Sequence, residues 1–149
     1  MLKIYLDTNV WSRPFDKPSQ RMIEETNAFF DILEKSYKGS LAIVGSLVLD
    51  VEVGRTENLE KRAVTERIIA IFVSEHFQDI PSSKVREIKE ATELKLPDAT
   101  HLACAVEAGC KYFITCDDEI IKKGKEIERQ YGLKIYNPVD FIGLEEEEW

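Results

Sequence analysis

Short apolar runs alternate along the chain with longer stretches in which apolar side chains recur at helical spacing. Lys3 to Leu6 (KIYL) predicts a buried strand, and Arg21 to Tyr37 then sets Met22, Phe29, Phe30, Leu33 and Tyr37 on one helical stripe, with Gly39 as a stop. Leu41 to Gly45 (LAIVG) predicts a second buried strand, and Ser46 caps a helix that runs through Glu52 towards Arg55. From Asn58 to Val73 the residues Leu59, Ala63, Ile69, Ala70 and Val73 predict another amphipathic helix. Ser82 or Ser83 caps a helix carrying Val85, Ile88, Ala91 and Leu94. Pro97 restarts the chain into a helix with Ala99, Leu102, Ala103 and Val106 on one face, closed by Gly109. Lys111 to Thr115 (KYFIT) predicts a strand, Glu119 to Tyr131 a helix, and Lys134 to Tyr136 (KIY) a last strand. This strand–helix alternation predicts an α/β fold, a three-layer α/β/α sandwich around a parallel sheet, because parallel strands need crossover connections.

Length agrees with a single domain. The 149 residues can bury roughly 68–70% of their unfolded surface, so a core forms without disulfides or structural metal. Residues 1–144 read as that domain and residues 145–149 as an acidic tail, opened by Glu145 to Glu148. The longest apolar candidate, Leu41 to Leu49, is broken by Gly45 and Ser46 and falls short of the roughly 18 residues of a spanning helix. MLKIYL carries no cationic region or small-residue cleavage site, which leads to the expectation of a cytoplasmic protein with no membrane partner. Cys104, Cys110 and Cys116 match no zinc-ligand spacing and read as reduced thiols of the core. A net charge of −8 weighs against a nucleic-acid partner, since phosphate binding rests on basic surface. Two things soften that objection: four charges sit in the tail, and acids gathered around a cation are neutralised by it.

The acids are placed where chemistry is expected. Asp7 ends the first strand, Asp117 follows the last but one, Asp98 opens a helix, and Glu52 lies near the second junction. Functional groups of parallel sheets gather outside the carboxyl ends of the strands, so these four predict one crevice. Like charges in one site raise each other's pKa, and a divalent cation relieves them. Oxygen-only ligands favour a hard ion, Mg²⁺ or Mn²⁺, and such sites hydrolyse phosphodiesters. Each acid also has a structural reading: Asp7 as a turn residue, Asp98 as an anion at a helix N-terminus, Glu52 as a solvated helix residue. Of Asp117 and Asp118, one binds metal and the other caps the following helix, and spacing does not say which. His101, one turn after Asp98, reads as a packed or surface histidine rather than a base.

Together, LDTNV (Leu6 to Val10), SLVLDVE (Ser46 to Glu52), PDATHLACA (Pro97 to Ala105) and FITCDDE (Phe113 to Glu119) resemble the PIN-domain nucleases, and among them the small single-domain toxins of toxin–antitoxin pairs. The resemblance runs from Tyr5 to about Phe141. It implies a metal site of Asp7, Glu52, Asp98 and Asp117, with Thr8, Asn9 and Thr115 as the neighbouring positioning residues. It further implies a metal-dependent endoribonuclease leaving 5′-phosphate and 3′-hydroxyl ends, a homodimer, and an antitoxin covering the acidic crevice. The doubled Asp117 and Asp118 depart from the pattern, as does the negative charge. A haloacid-dehalogenase-like phosphatase requires an acid where Asn9 stands, and no GxxxxGK[ST] or GxGxxG loop is present. The remaining alternative is a PIN-like module that binds RNA or protein without cutting. Arg13, Lys17, Arg21, Arg55 and Lys95 are the basic residues available for substrate choice.

Overall fold

A computed structural model describes residues 1–144 and 148–149; residues 145–147, most of the acidic run, lie outside the described residues. Five parallel strands, β1 (Lys3–Leu6), β2 (Ala42–Ser46), β3 (Val73–Phe77), β4 (Tyr112–Ile114) and β5 (Lys134–Tyr136), form one sheet in the order β3-β2-β1-β4-β5. The central strand is β1, with Tyr5 opposite Val44 of β2 and Phe113 of β4. The two strands that end beside Asp7 and Asp117 are therefore neighbours, as the sequence predicts.

Alternation along each strand divides the core in two. Ile4, Leu6, Ile43, Tyr112 and Ile114 face one layer, packed with Trp11, Phe29, Ile32 and Phe141, while Tyr5, Val44 and Phe113 face the other, packed with Ile88, Leu102, Ile120 and Ile127. Helices α1 (Thr8–Trp11), α2 (Gln20–Tyr37), α3 (Leu47–Gly54), α4 (Leu59–Phe72) and α9 (Pro138–Ile142) supply the first layer's buried side chains or border it. The second layer draws on α5 (Ser82–Thr92), α6 (Leu96–Glu107), α7 (Asp118–Lys122) and α8 (Gly124–Tyr131). Trp149 stacks on Phe141 with ring centroids 5.4 Å apart. Among the described residues no helix is long and apolar enough to cross a membrane, and all three cysteines are free, Cys104 and Cys110 buried and Cys116 half-buried.

Several elements differ from the sequence expectation. Strand β3 was not expected, because VSEHF has little apolar pattern; it is an edge strand held by β2, and Ser74 and Glu75 face solvent. The long helix expected from Glu119 breaks at Lys123, and Gly124 opens α8 where a Cβ would stand 3.3 Å from the Cβ of Ile135 on β5, so the glycine permits the close approach. Neither Ser82 nor Ser83 caps α5; Pro81 stands at the N-cap without a side-chain bond. On α2 the buried stripe is Glu25, Ala28, Phe29, Ile32 and Leu33, and Phe30 and Tyr37 point to solvent. The stripe is displaced because a charged residue, Glu25, takes a core position, made tolerable by arginine partners described below.

Candidate active site

At the carboxyl end of β1 the backbone turns directly into α1, and Asp7 is the N-cap of that short helix. The residue is 5% exposed, and its carboxylate accepts from the Thr8 amide (2.8 Å), the Thr115 hydroxyl (2.9 Å) and the Asn9 side-chain amide (3.2 Å). Thr115, just past β4, also accepts from Asn9 Nδ2 and from the Asp117 amide, so its hydroxyl donates once and accepts twice. Asn9 Oδ1 accepts from the Cys116 amide at 3.0 Å. Asn9 and Thr115 thus knit the end of β1 to the end of β4, while Thr8 bonds the acids Asp7 and Glu52.

Glu52 arrives from α3, whose N-cap is Ser46 accepting from the Leu49 amide at 3.1 Å, as the sequence predicts. Its Oε1 accepts from the Thr8 hydroxyl and from His101 Nε2, the latter at 2.7 Å. His101 is buried, 1% exposed, and its Nδ1 lies 2.6 Å from the Tyr5 hydroxyl, which lies 2.6 Å from Ser46 Oγ. Because an ionised carboxylate only accepts, Nε2 carries a proton. The histidine is packed, as expected, but packed among the acids: Nε2 is also 3.9 Å from Asp7 Oδ1. Tyr5 and Ser46 were not read as site residues. The clue available was that a tyrosine on a fully buried strand needs a hydrogen-bond partner.

Asp98, in the first turn of α6, makes no side-chain hydrogen bond among the described residues. Asp117 is the N-cap of α7 and accepts from the Glu119 amide at 2.9 Å. Both line a crevice of about 140 Å³ with Glu93, Leu94, Lys95 and Glu119. Asp118 turns away onto Arg21, with both carboxylate oxygens 3.0 Å from the guanidinium. The capping and crevice positions therefore both fall to Asp117. A larger apolar groove of about 370 Å³, bordered by Val53, Ile69 and Val73, contains none of the four acids.

Electrostatics separates the acids further. Burial pushes the Asp7 carboxyl above its ordinary value, against the opposing pull of His101 and the hydrogen bonds from Thr115 and Thr8. Burial and then the charges of Asp7 and Asp117 push Asp98 up to about 6. Burial also opposes ionisation of Glu52, but the hydrogen bonds and charge of His101 prevail and hold that carboxyl below the ordinary range. Burial disfavours the His101 cation, yet Glu52, Asp7 and Asp98 together raise its pKa. Asp7 and Asp98 are thus short of positive charge, which is the chemistry a hard divalent cation satisfies. Their spacing is looser than a coordination shell: among the described residues no three His, Cys, Asp or Glu groups are placed to hold a metal ion. Glu52 is drawn onto His101 and Thr8, and one oxygen of Asp117 onto its own helix. Of the basic residues, Arg13 and Arg21 are engaged by Glu25, Asp16 and Asp118, whereas the charges of Lys95 and Arg55 bear on Asp98 and Glu52.

The same architecture occurs in VapBC2 from Rickettsia felis, solved bound to a DNA fragment from its promoter, at TM-score 0.62 and 16% identity over 91% of this chain and 98% of that one. It occurs also in PAE2754 from Pyrobaculum aerophilum, at TM-score 0.55 and 16% identity over 99% and 98% of the two chains. No curated protein matches the chain. The PIN domain model matches residues 4–126, the span that holds all four acids and every residue that positions them. The chain belongs to the PIN-domain family, whose members are generally nucleases.

Proposed function

We propose that the protein is a divalent-metal-dependent endoribonuclease of the toxin type. Asp7, Glu52, Asp98 and Asp117 would hold Mg²⁺ or Mn²⁺. The observation that carries this is the charge-deficient pair of Asp7, at the carboxyl end of β1, and Asp98, in the first turn of α6, within a fold whose family generally uses such ions. When bound, the ion supplies an activated water and neutralises charge on a phosphodiester. Thr8, Asn9 and Thr115 fix the side chain of Asp7, and His101 fixes Glu52 through Oε1, which leaves Oε2 for the crevice. Lys95, which lines the crevice, and Arg55, whose charge bears on Glu52, would be the contacts for phosphate.

A protein antitoxin is the expected regulator, supported by the VapBC neighbour. A cytoplasmic homodimer is the expected form. It is supported by surplus apolar surface on α2 and α4, where Phe30, Leu59 and Ile71 are about half or more exposed.

The test incubates a mixed RNA pool with the parent and with Asp98→Asn, in Mg²⁺ or Mn²⁺ and in chelator. Cleavage by the parent that is lost in chelator and in the variant is expected, since Asn keeps the size of Asp but not the charge that holds the ion. RNA binding without cleavage in any divalent metal would replace the nuclease by a silent binding module.

A further inference from the structure

Asp117 sits in a three-residue loop between β4 and α7, and both flanking residues are tied to other elements. The Cys116 amide donates to Asn9 Oδ1 at 3.0 Å, and the Cys116 carbonyl accepts from Arg21 Nη2 at 2.7 Å. On the other side, the same guanidinium grips Asp118 through Nη1 and Nη2, each at 3.0 Å. Arg21 is itself held by Glu25, 3.2 Å from Nε, and Glu25 is 1% exposed on the core face of α2. Arg13 Nε, at 2.8 Å, and Asn137 complete the shell around that carboxylate. One arginine thereby spans Asp117 with bonds before and after it, backed by a buried acid.

We infer that Arg21 is a positioning residue for Asp117, holding the fourth acid of the crevice in place from α2; this rests on the metal-site reading proposed above. The side chains of Arg21 and Asp118 are 47% and 63% exposed, and an ion pair so exposed contributes little to stability by itself. The planar fork of Arg21 instead fixes direction: it holds the Cys116 carbonyl and the Asp118 side chain at once, while Asn9 holds the Cys116 N–H. Between those restraints Asp117 has its amide on Thr115 and one oxygen on the Glu119 amide, which leaves the other oxygen for the crevice. Lysine would supply the charge at this position without the fork.

The test measures Mn²⁺ binding by calorimetric titration, together with kcat and KM on a single-stranded oligoribonucleotide, for the parent, Arg21→Gln, Arg21→Lys, Asp118→Asn and Asp117→Asn. Outer partners of metal ligands typically cost about 10–100-fold in affinity or activity, so Arg21→Gln is expected to weaken Mn²⁺ binding about 10-fold and to lower kcat with KM unchanged. Asp118→Asn, which leaves the core untouched, shows the same direction with a smaller change, and Arg21→Lys recovers part of the loss. Unchanged Mn²⁺ affinity in both Arg21→Gln and Asp118→Asn overturns the inference, whether thermal stability falls, which marks a structural role, or KM rises, which marks direct RNA contact. If Asp117→Asn itself leaves Mn²⁺ binding intact, Asp117 is not a ligand and the metal-site reading fails with it. Loss in Asp117→Asn alongside intact binding in the Arg21 and Asp118 variants sinks the positioning role alone.

Discussion

The four acids form an inner half, Asp7 and Glu52, and an outer half, Asp98 and Asp117, built on opposite terms, and only the outer half lines the crevice. Asp7 accepts from Thr8 and Asn9 of the helix it caps and from Thr115 beyond β4, Glu52 accepts from Thr8 and His101 of two other helices, and the buried histidine stands between them. Asp98 has no side-chain partner among the described residues and is pushed up to about 6, and Asp117 spends one oxygen on its own helix. The inner half is therefore fixed before anything binds, and the charge deficit falls on one acid of each half, Asp7 and Asp98. Preorganisation and charge deficit occur side by side because Asp7 is buried where β1 turns into α1 beside the end of β4, while Asp98 is presented half-buried in the first turn of α6.

The contrast breaks first at His101. Replacing it by leucine leaves Glu52 with Thr8 alone and the Tyr5 hydroxyl with Ser46 alone, a loss of about 3 kcal/mol for a broken buried pair. For a chain of this size that is a fall of roughly 6–12 °C in the midpoint of a thermal melt. An unchanged midpoint would mean that the inner half is not held by this network.

The outer half should respond in the opposite sense. In chelator at pH 7.5, Asp98→Asn is expected to raise the midpoint, by about 1 kcal/mol once the partial exposure of Asp98 is allowed for. The pH dependence follows from the same group. Folded Asp98 takes up its proton at about 6 against an ordinary 3.8, so the folded state binds more protons between those values. Stability from this group is full below about 4 and is lost as pH rises through about 6. The raised His101 acts in the same direction above pH 6.5, while Glu52, with its lowered pKa, opposes only below its ordinary 4.5. Melts in chelator should therefore show the parent gaining stability from pH 7.5 to 5.5, and Asp98→Asn gaining less. A parallel slope in the two proteins would remove Asp98 as the source. The smallest effect belongs to the rim: Lys95→Gln should change stability by less than about 0.5 kcal/mol, and a larger change in the melt would show that Lys95 already balances the outer acids.

Much of this was legible along the chain because it depends on local pattern. The order of β1, β2, β4 and β5 follows from apolar runs separated by helical periods, and the cap at Ser46 follows from its own side chain and the backbone beside it. Asp7 stood out because it is a charged residue directly after a buried strand, whereas Thr8, Asn9 and Thr115 came only from the resemblance of the motifs around them. The edge strand β3 was not found, since a strand with one partner and an exposed face needs little apolar pattern. Nor was the break before α8, which answers to Ile135 across space.

Sequence by itself therefore determined the fold class, the family and that Asp7 and Asp117 follow strands, because each is written in short local motifs. Only the tertiary structure decided what surrounds each acid. Tyr5 meets His101 across 96 positions, and Arg21 meets Asp118 across 97. Hydrogen bonds and charges act through distance in space, so whether an acid is held, neutralised or left in deficit is settled when the chain folds.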